Sequence, residues 1–316
     1  MKALMMTHTP TIPEYPKVTP YGAPVKVPNG LSAKARSKAQ TVLRRFGMAT
    51  SRLRLLPDYL IIGTKRGGTT SLARWVLEHP DIRPLFPAPE KRKGAYYFDV
   101  NYGRGEQWYR SHFPTRAAHN LRCRQAGRKL LVGEATPYYL YHPHAALRAR
   151  RMTPNSKVIV LLRNPIDRAF GHWGERTRQG IETLGFEAAL DAERHRCEGE
   201  EGMMLHDPSY VSFPHQHYSY VDQGRYSRGL KRWMDAYPPQ QLLVLRSEDM
   251  YEDPAAIYQQ VVDFLGISDY SPKAFAAWNN KSNDSLEPAL RRRLAAELAE
   301  DIAATEALVG RPMGWV

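Results

Sequence analysis

The residues best suited to chemistry lie in a glycine-rich stretch that carries two adjacent cations. The stretch GTKRGGTT begins at Gly63 and places Lys65 and Arg66 just before a pair of glycines. Glycine allows backbone N–H groups to turn inward, and the two cations add full positive charges. A helix after such a loop contributes its unpaired first amides and a partial positive charge. The stretch therefore predicts a binding site for a phosphate ester.

The spacing of this loop differs from that of nucleoside triphosphatases. Gly63 and Gly68 have the separation found in the motif G-x-x-x-x-G-K-[ST], but the next residue is Thr69 where that motif has lysine. The cations of this chain precede the glycine pair instead. The pattern therefore argues against an ATP-hydrolysing loop and favours a different phosphate ester.

The elements around the loop are predicted from apolar patterns. Strands are expected at residues 59–62, 130–134, 158–162 and 242–245, and helices at residues 70–78, 142–151, 186–195, 226–236, 254–265 and 287–309. Ligands of parallel sheets bind beyond the carboxyl ends of the strands. Two charged residues occupy such ends, Glu134 as the last residue of the second of these strands and Arg163 directly after the third.

Two stretches together resemble the sulfotransferases that use 3′-phosphoadenosine 5′-phosphosulfate (PAPS), in particular the carbohydrate and heparan-sulfate type. GTKRGGTTSL followed by HPDI resembles their 5′-phosphosulfate loop, and KVIVLLRNPIDRAFGHW resembles their 3′-phosphate site. The resemblance covers residues 57–316. It implies a P-loop-like α/β fold of three layers, with a central parallel sheet between helices. It also implies sulfuryl transfer to a hydroxyl or amine of a carbohydrate, a glycolipid or a similar small molecule.

The resemblance also assigns site residues. Lys65 and Arg66 would stabilise the charge that develops on the leaving phosphate; the family's catalytic lysine falls on Arg66, so the division of work between these two cations is open. Glu134 lies in a segment like the family's Gly-Glu-x-Ser/Thr-Pro-x-Tyr and would act on the acceptor, with a purely structural carboxylate as the alternative. No metal is expected, because a sulfuryl group carries less charge than a phosphoryl group. The expected PAPS contacts are Lys65, Arg66, Gly67, Gly68, Thr69, Thr70, Ser71, Arg163 and Lys281.

Two positions depart from the family pattern. The family's Lys-Glu-x-His-Phe-Phe segment lies over residues 93–98, and Lys93 matches its lysine, but its glutamate, the usual general base, falls on Gly94. The family's serine at the 3′-phosphate falls on Gly171. Either another group accepts the acceptor's proton, with Glu134, Asp99 and Glu90 as the candidates, or the acceptor needs little help to lose it.

Composition favours an anionic partner. The chain of 316 residues has 45 Lys and Arg against 32 Asp and Glu, a net charge of +13. Such a balance suits a nucleotide, a polyanionic glycan or an acidic lipid, with solvated surface arginine as the alternative. No motif supports binding to nucleic acid. The two cysteines, Cys123 and Cys197, form neither a disulfide framework nor a metal-ligand spacing, which suits a reducing compartment.

Residues 1–56 differ in composition from residues 57–316, which we expect to form the sulfotransferase domain. The first part is a proline-rich arm followed by a basic segment, residues 31–56, which either lies on an acidic membrane surface or packs on its own domain. We find no apolar run that could span a membrane and no signal peptide. Animal relatives are usually anchored in the Golgi membrane, so these features predict a cytoplasmic, bacterial-type enzyme with at most peripheral membrane contact.

Other functional classes stay open at this point. One is a P-loop kinase or triphosphatase, and another is a non-catalytic basic protein that binds glycans through a degenerate nucleotide site. His206, His215 and His217 suggest a metal site, but no cysteine or carboxylate accompanies them at ligand spacing. We interpret residues 197–218 as a long loop that faces the acceptor.

Overall fold

The computed structural model of the chain describes residues 33–87, 93–276 and 286–315 and shows a parallel sheet of five strands. Helices pack on both faces of this sheet. The strands are β1 (Tyr59–Gly63), β2 (Ile82–Arg83), β3 (Leu131–Ala135), β4 (Lys157–Leu162) and β5 (Leu242–Arg246). The helices of the described residues are α1 (Ala33–Ala49), α2 (Thr69–Glu78), α3 (Gly105–Arg110), α4 (Arg116–Ala126), α5 (Ala145–Met152), α6 (Pro165–Arg178), α7 (Phe186–Cys197), α8 (Glu200–His206), α9 (Phe213–His217), α10 (Tyr226–Ala236), α11 (Ser247–Glu252), α12 (Pro254–Leu265) and α13 (Pro288–Val309).

The strand order places the ends of β1 and β4 side by side. The order is β2-β3-β1-β4-β5, and every pair is parallel. From β1 the chain moves first to β2 and β3 on one side of the sheet and then to β4 and β5 on the other. Ligands of open α/β sheets bind where the strand order reverses in this way. The loops after β1 and β4, which carry the predicted anion-binding residues, meet at this point.

The two faces of the sheet support two separate cores, because side chains alternate along a strand. Leu60 and Ile62 of β1 pack with residues of α5, α6, α10 and α13. Tyr59 and Ile61 of the same strand pack with residues of α2, α11 and α12. Helices therefore cover the sheet on both sides, which confirms the predicted α/β fold of three layers.

Helix boundaries follow the capping residues that the sequence offers. The Asn164 side chain accepts hydrogen bonds from the first amides of α6, 3.0 Å from the Ile166 nitrogen, and Pro165 occupies the first turn. Asp253 caps α12 in the same way, and α12 ends at Gly266, whose φ is +70°. The helices predicted at residues 226–236, 254–265 and 287–309 are confirmed to within one residue.

The predicted loop at residues 197–218 is wrong, because α8 and α9 lie within it. Its glycines and prolines mark the ends of these short helices and not an irregular segment. Ser212 caps α9 by accepting a hydrogen bond from the His215 nitrogen at 3.0 Å, and its hydroxyl donates to Glu200 of α8. Sequence patterns also missed α4, which buries little apart from His119 and therefore has no apolar stripe.

The segment before β1 packs on the rest of the chain through arginine side chains. Arg44 of α1 donates to the Ser111 carbonyl oxygen at 2.8 Å, after the end of α3. Arg54 is only 1% exposed; it donates to the Phe113 carbonyl oxygen and lies over the Phe86 ring at 4.4 Å. The boundary expected at residue 56 stays a prediction, and residues 1–32 lie outside the described residues. No described helix is both long enough and apolar enough to cross a membrane.

Close packing of α10 on the loop after β3 gives a test of this fold. A Cβ atom at Gly229 would lie 2.5 Å from the Leu140 carbonyl oxygen, a backbone atom that cannot move aside cheaply. We expect Gly229→Ala to lower the free energy of unfolding by about 1–3 kcal/mol in urea denaturation, although alanine favours helices. Gly202→Ala in α8 is the matched control, because its Cβ atom would meet nothing within 4 Å. Equal stability of both variants would contradict this packing.

Candidate functional site: a cationic cleft at the ends of β1 and β4

The glycine-rich loop after β1 turns tightly enough that two of its glycines are required. A Cβ atom at Gly67 would lie 2.7 Å from the Thr64 side chain and 2.9 Å from the Leu161 carbonyl oxygen. Gly68 has a φ of +87° and faces the Met250 side chain, which a Cβ atom would approach to 2.5 Å. The loop thus leads directly into α2, whose first amides receive no hydrogen bond from a capping side chain. This geometry suits an oxyanion held by backbone N–H groups.

Neighbouring strands hold the carbonyl oxygens of this loop away from a bound anion. Arg163, after β4, donates to the Arg66 carbonyl oxygen at 3.0 Å. Ser247, after β5, donates to the Gly67 carbonyl oxygen at 2.6 Å. Both oxygens would repel an anion if they faced it. The ends of three strands therefore fix the conformation that the predicted donor site needs.

The side chains of Arg66 and Arg163 approach the same face of α6. A Cβ atom at Gly171 would lie 3.5 Å from the Arg66 Nε atom and 3.8 Å from the Arg163 Nη1 atom. These are ordinary contact distances, so residue 171 faces both cations and a small side chain would fit there. The position where the family has a serine is thus beside the two arginines, and the residues present fit a phosphate group at this place.

Lys65 points in a different direction from Arg66. Its Nζ atom donates to the Gln216 carbonyl oxygen of α9 at 3.1 Å. Burial, and then the nearby Arg176, lower the pKa of Lys65 well below its usual value. The two loop cations therefore have different nearest contacts, Arg66 at Gly171 of α6 and Lys65 at Gln216 of α9, while both lie close to Glu175.

Glu175 of α6 is a carboxylate among these cations. Its Oε1 atom lies 3.7 Å from Arg66 Nη1, and its Oε2 atom accepts from Arg176 Nη2 at 2.9 Å. Burial raises the pKa of Glu175, but the positive charges of Arg176, Lys65 and Arg66 outweigh it and lower the pKa to about 2. Sequence reasoning did not select Glu175. The available signal was its spacing of four residues from Gly171, which places both on one face of α6.

Lys93 also lies at the start of α2. Its Nζ atom donates to the Thr70 hydroxyl at 2.8 Å, and burial lowers its pKa to about 8. The match to the family's lysine was the signal for this residue, but it was not among the expected PAPS contacts. Lys93 therefore joins Lys65 and Arg66 as a third cation near the position expected for the phosphosulfate.

Glu134 is 2% exposed and its carboxylate is saturated with hydrogen bonds. Oε2 accepts from the Ala95 nitrogen at 2.6 Å and from the Thr136 hydroxyl at 3.1 Å. Oε1 accepts from the hydroxyls of Tyr109 at 2.7 Å and Tyr139 at 3.0 Å. The carboxylate thereby holds the segment after Lys93 against the end of β3. Its assignment as a catalytic residue stays a prediction, and these contacts favour the structural alternative.

The backbone at Gly94 packs directly on the end of β3. A Cβ atom there would collide with the Ala135 carbonyl oxygen and lie 2.5 Å from the Thr136 hydroxyl oxygen. The Lys93 carbonyl oxygen accepts a hydrogen bond from the Ala135 nitrogen at 2.6 Å, which keeps the backbone in this position. In this conformation the residue that replaces the family's glutamate has to be glycine.

Two further residues near the predicted site are buried, and two candidates lie outside the described residues. Asp99 is 2% exposed and accepts from the Val100 nitrogen at 2.6 Å, and burial raises its pKa to about 8. Arg168, in the stretch that resembles the family's 3′-phosphate site, is fully buried and donates to the Tyr220 carbonyl oxygen. Glu90 and Lys281 lie outside the described residues.

The three histidines of the suggested metal site have different surroundings. His215 forms a hydrogen bond with the Tyr138 hydroxyl at 2.7 Å and stacks on the Tyr141 ring at 4.1 Å. His217 forms a hydrogen bond with Arg176 at 2.9 Å. Among the described residues, no group of three or more His, Cys, Asp or Glu side chains is arranged to hold a metal.

Fold and site together define a class of P-loop-like α/β proteins, with a glycine-rich loop and clustered cations at the carboxyl ends of a parallel sheet. A family model described as the sulfotransferase domain matches residues 56–287, and the chain belongs to this family.

Individual relatives agree with this family. Human heparan sulfate glucosamine 3-O-sulfotransferase 6 is 31% identical over 214 residues, which are 68% of this chain and 53% of that protein. Mouse heparan sulfate glucosamine 3-O-sulfotransferase 3B1 is 29% identical over 212 residues, 67% of this chain and 46% of that protein. The chain thus spans about half the length of these curated relatives. The crystal structure of a sulfotransferase from Alicyclobacillus acidocaldarius has a TM-score of 0.60 at 29% identity and covers 83% of this chain and 99% of its own.

The role of Glu134 can be tested through stability. Glu134→Ala would leave the Ala95 amide and three hydroxyls without their buried acceptor. We expect the free energy of unfolding in urea to fall by about 3 kcal/mol. Glu297→Ala, which removes an exposed ion-paired carboxylate from α13, should change it by less than about 0.5 kcal/mol. If Glu134→Ala kept wild-type stability but lost activity, a catalytic role would replace the structural one.

The depressed pKa of Lys93 predicts a pH dependence of anion binding. An anion binds the protonated lysine better, so this contribution is complete below pH 8 and falls as the pH rises above about 8. We expect Lys93→Met to weaken binding of 3′-phosphoadenosine 5′-phosphate (PAP) by about tenfold at pH 7 and by clearly less at pH 9. Calorimetric titration measures the PAP affinity at each pH, and Lys231→Met, which replaces an exposed lysine on α10, is the control. If the ratio of the wild-type to the Lys93→Met affinity for PAP stayed constant with pH, Lys93 would not be the titrating group.

Proposed function

We propose that this chain transfers a sulfuryl group from PAPS to a hydroxyl or amine of a carbohydrate, glycolipid or similar acceptor. The observation that carries the proposal is the pair of cationic positions at the ends of β1 and β4, which would suit two phosphate groups. One is the loop with Arg66 and the start of α2, and the other is the face of α6 at Gly171 with Arg163. A nucleotide that carries a phosphate at each end of its ribose matches two such positions.

The residues present support the chemistry of this transfer through charge. By analogy with phosphoryl transfer, the transition state is expected to be loose, so positioning and electrostatic stabilisation dominate. Negative charge grows on the leaving phosphate, and Arg66, Lys65 and the first amides of α2 would stabilise it there. Lys93, held at the Thr70 hydroxyl, adds a cation at the same place.

The names of the relatives suggest the acceptor class and nothing finer. Both of those named above act on heparan sulfate glucosamine, so a sulfated or unsulfated glycan is the acceptor class to test first. The expectations of a cytoplasmic location and of peripheral contact between the basic segment and an acidic membrane surface stay predictions. In α1, Val42 is 64% exposed and Phe46 is 56% exposed, which is compatible with such contact.

Calorimetric titration with PAP and, separately, with Mg·ATP tests the donor. We expect PAP to bind much more tightly than Mg·ATP. Lys65→Ala and Arg66→Ala should each lower turnover of PAPS more than tenfold, because each removes a cation from the loop. Arg293→Ala, which replaces an exposed arginine of α13, should leave PAP binding and turnover of PAPS unchanged.

The other outcomes lead to different functions. Preference for Mg·ATP would indicate a kinase or triphosphatase and overturn the proposal. Binding of neither ligand would indicate a degenerate nucleotide site in a glycan-binding protein. Unchanged turnover in both loop variants would reject this loop as the catalytic centre.

A further inference from the structure

The proposed transfer needs a group that accepts the proton of the acceptor, and the usual position for that group is Gly94. The backbone there has no room for a side chain. Glu134 already accepts four hydrogen bonds, and Asp99 is 2% exposed with its own backbone partner. Among the described carboxylates, Glu175 is the one that forms an ion pair with a cation of the phosphate loop.

We propose that Glu175 is the general base that takes the proton from the acceptor, and this inference rests on the proposed function. Its side chain is 25% exposed, so an acceptor hydroxyl can reach it, unlike the buried carboxylates at Glu134 and Asp99. One end of its carboxylate lies 3.7 Å from Arg66 Nη1. The base is thus placed next to the loop that would hold the reacting group.

Helix geometry places Glu175 at the correct end of the predicted nucleotide. Gly171 and Glu175 are four residues apart in α6, so they lie on one face and about 6 Å apart along the axis. Gly171 faces Arg163 and Arg66 at the predicted 3′-phosphate, and Glu175 lies one turn further on, beside Arg66 and near Lys65. That is the side on which the sulfuryl group and the acceptor would meet.

Binding of the donor would itself prepare this base. The positive charges of Arg176, Lys65 and Arg66 lower the pKa of Glu175, which makes the carboxylate a weak base. Once a phosphosulfate engages these cations, its negative charge offsets theirs and the pKa of Glu175 rises. The charged groups that act on the carboxylate include Arg176, Lys65, Arg66 and Lys93, and His217 contacts Arg176.

The step balances in atoms and charge. The acceptor oxygen forms a bond to sulfur as the bond between sulfur and the bridging phosphate oxygen breaks. The acceptor proton passes to a carboxylate oxygen of Glu175, which later releases it to solvent. The leaving PAP keeps the bridging oxygen and its electron pair, and Arg66 and Lys65 stabilise that charge.

The experiment compares Glu175→Gln and Glu175→Ala with the wild-type chain, with heparan sulfate as the acceptor probe and PAP release as the readout. We expect Glu175→Gln to lower kcat by about 100-fold or more, because general-base catalysis contributes that much. PAP affinity should stay within threefold of wild type or increase, since a competing carboxylate has been removed. The acid limb of the pH–rate profile should disappear, and formate should restore part of the turnover of Glu175→Ala.

A matched control and the contrary results make the test decisive. Glu187→Gln removes an exposed carboxylate that pairs with Arg293 at 3.3 Å, and it should leave kcat and PAP affinity unchanged. Turnover of Glu175→Gln within threefold of wild type would overturn the inference. A parallel loss of PAP affinity and turnover, with no effect of formate, would also overturn it and reduce Glu175 to a counter-ion of Arg66. Failure of the wild-type chain to bind PAP would instead overturn the proposed function.

Discussion

The crowding of positive charge at one edge of the sheet is the constraint on which the rest of the site depends. Lys65, Arg66, Lys93 and Arg176 lie together with Glu175 as their close carboxylate partner. Positive charges in a partly dry environment lose hydration and repel one another, which lowers the pKa values of Lys65, Arg66 and Lys93. The rest of the fold has to hold these cations in place against their repulsion. The Arg163 and Ser247 side chains, at the ends of β4 and β5, do so by donating hydrogen bonds to carbonyl oxygens of the loop, and the buried network at Glu134 holds the segment of Lys93.

The network at Glu134 shows how uncharged tyrosine side chains help to position the cations of the site. Tyr109 and Tyr139 donate to Glu134, and Tyr139 also accepts from the Tyr97 nitrogen at 2.7 Å. The Tyr97 ring stacks on Tyr109 at 4.5 Å. The segment that carries Lys93 is therefore tied to the end of β3 by packing and hydrogen bonds that do not involve the ligand. This segment positions the charge of Lys93, and its aromatic packing keeps the lysine in place despite repulsion by the other cations.

Sequence patterns could predict the elements but not the side-chain partners. Continuous apolar runs predicted β1 and β4, and the patterns at residues 226–236, 254–265 and 287–309 predicted α10, α12 and α13, because these signals are local. The helices α4, α8 and α9 lack an apolar stripe long enough to be seen. The role of Glu175 depends on α6 lying against the loop after β1, a contact between distant parts of the chain that no local pattern encodes.

The close contact at Gly94 limits which substitutions this site can accept during evolution. A single substitution that returns a glutamate to this position would meet the Ala135 carbonyl oxygen before its carboxylate could reach a substrate. The backbone of residues 93–98 would have to move first, and with it the anchor of Lys93. The two arrangements of the proton acceptor are thus separated by a structural barrier, so a lineage that has adopted glycine here is held to solutions that use another element of the fold.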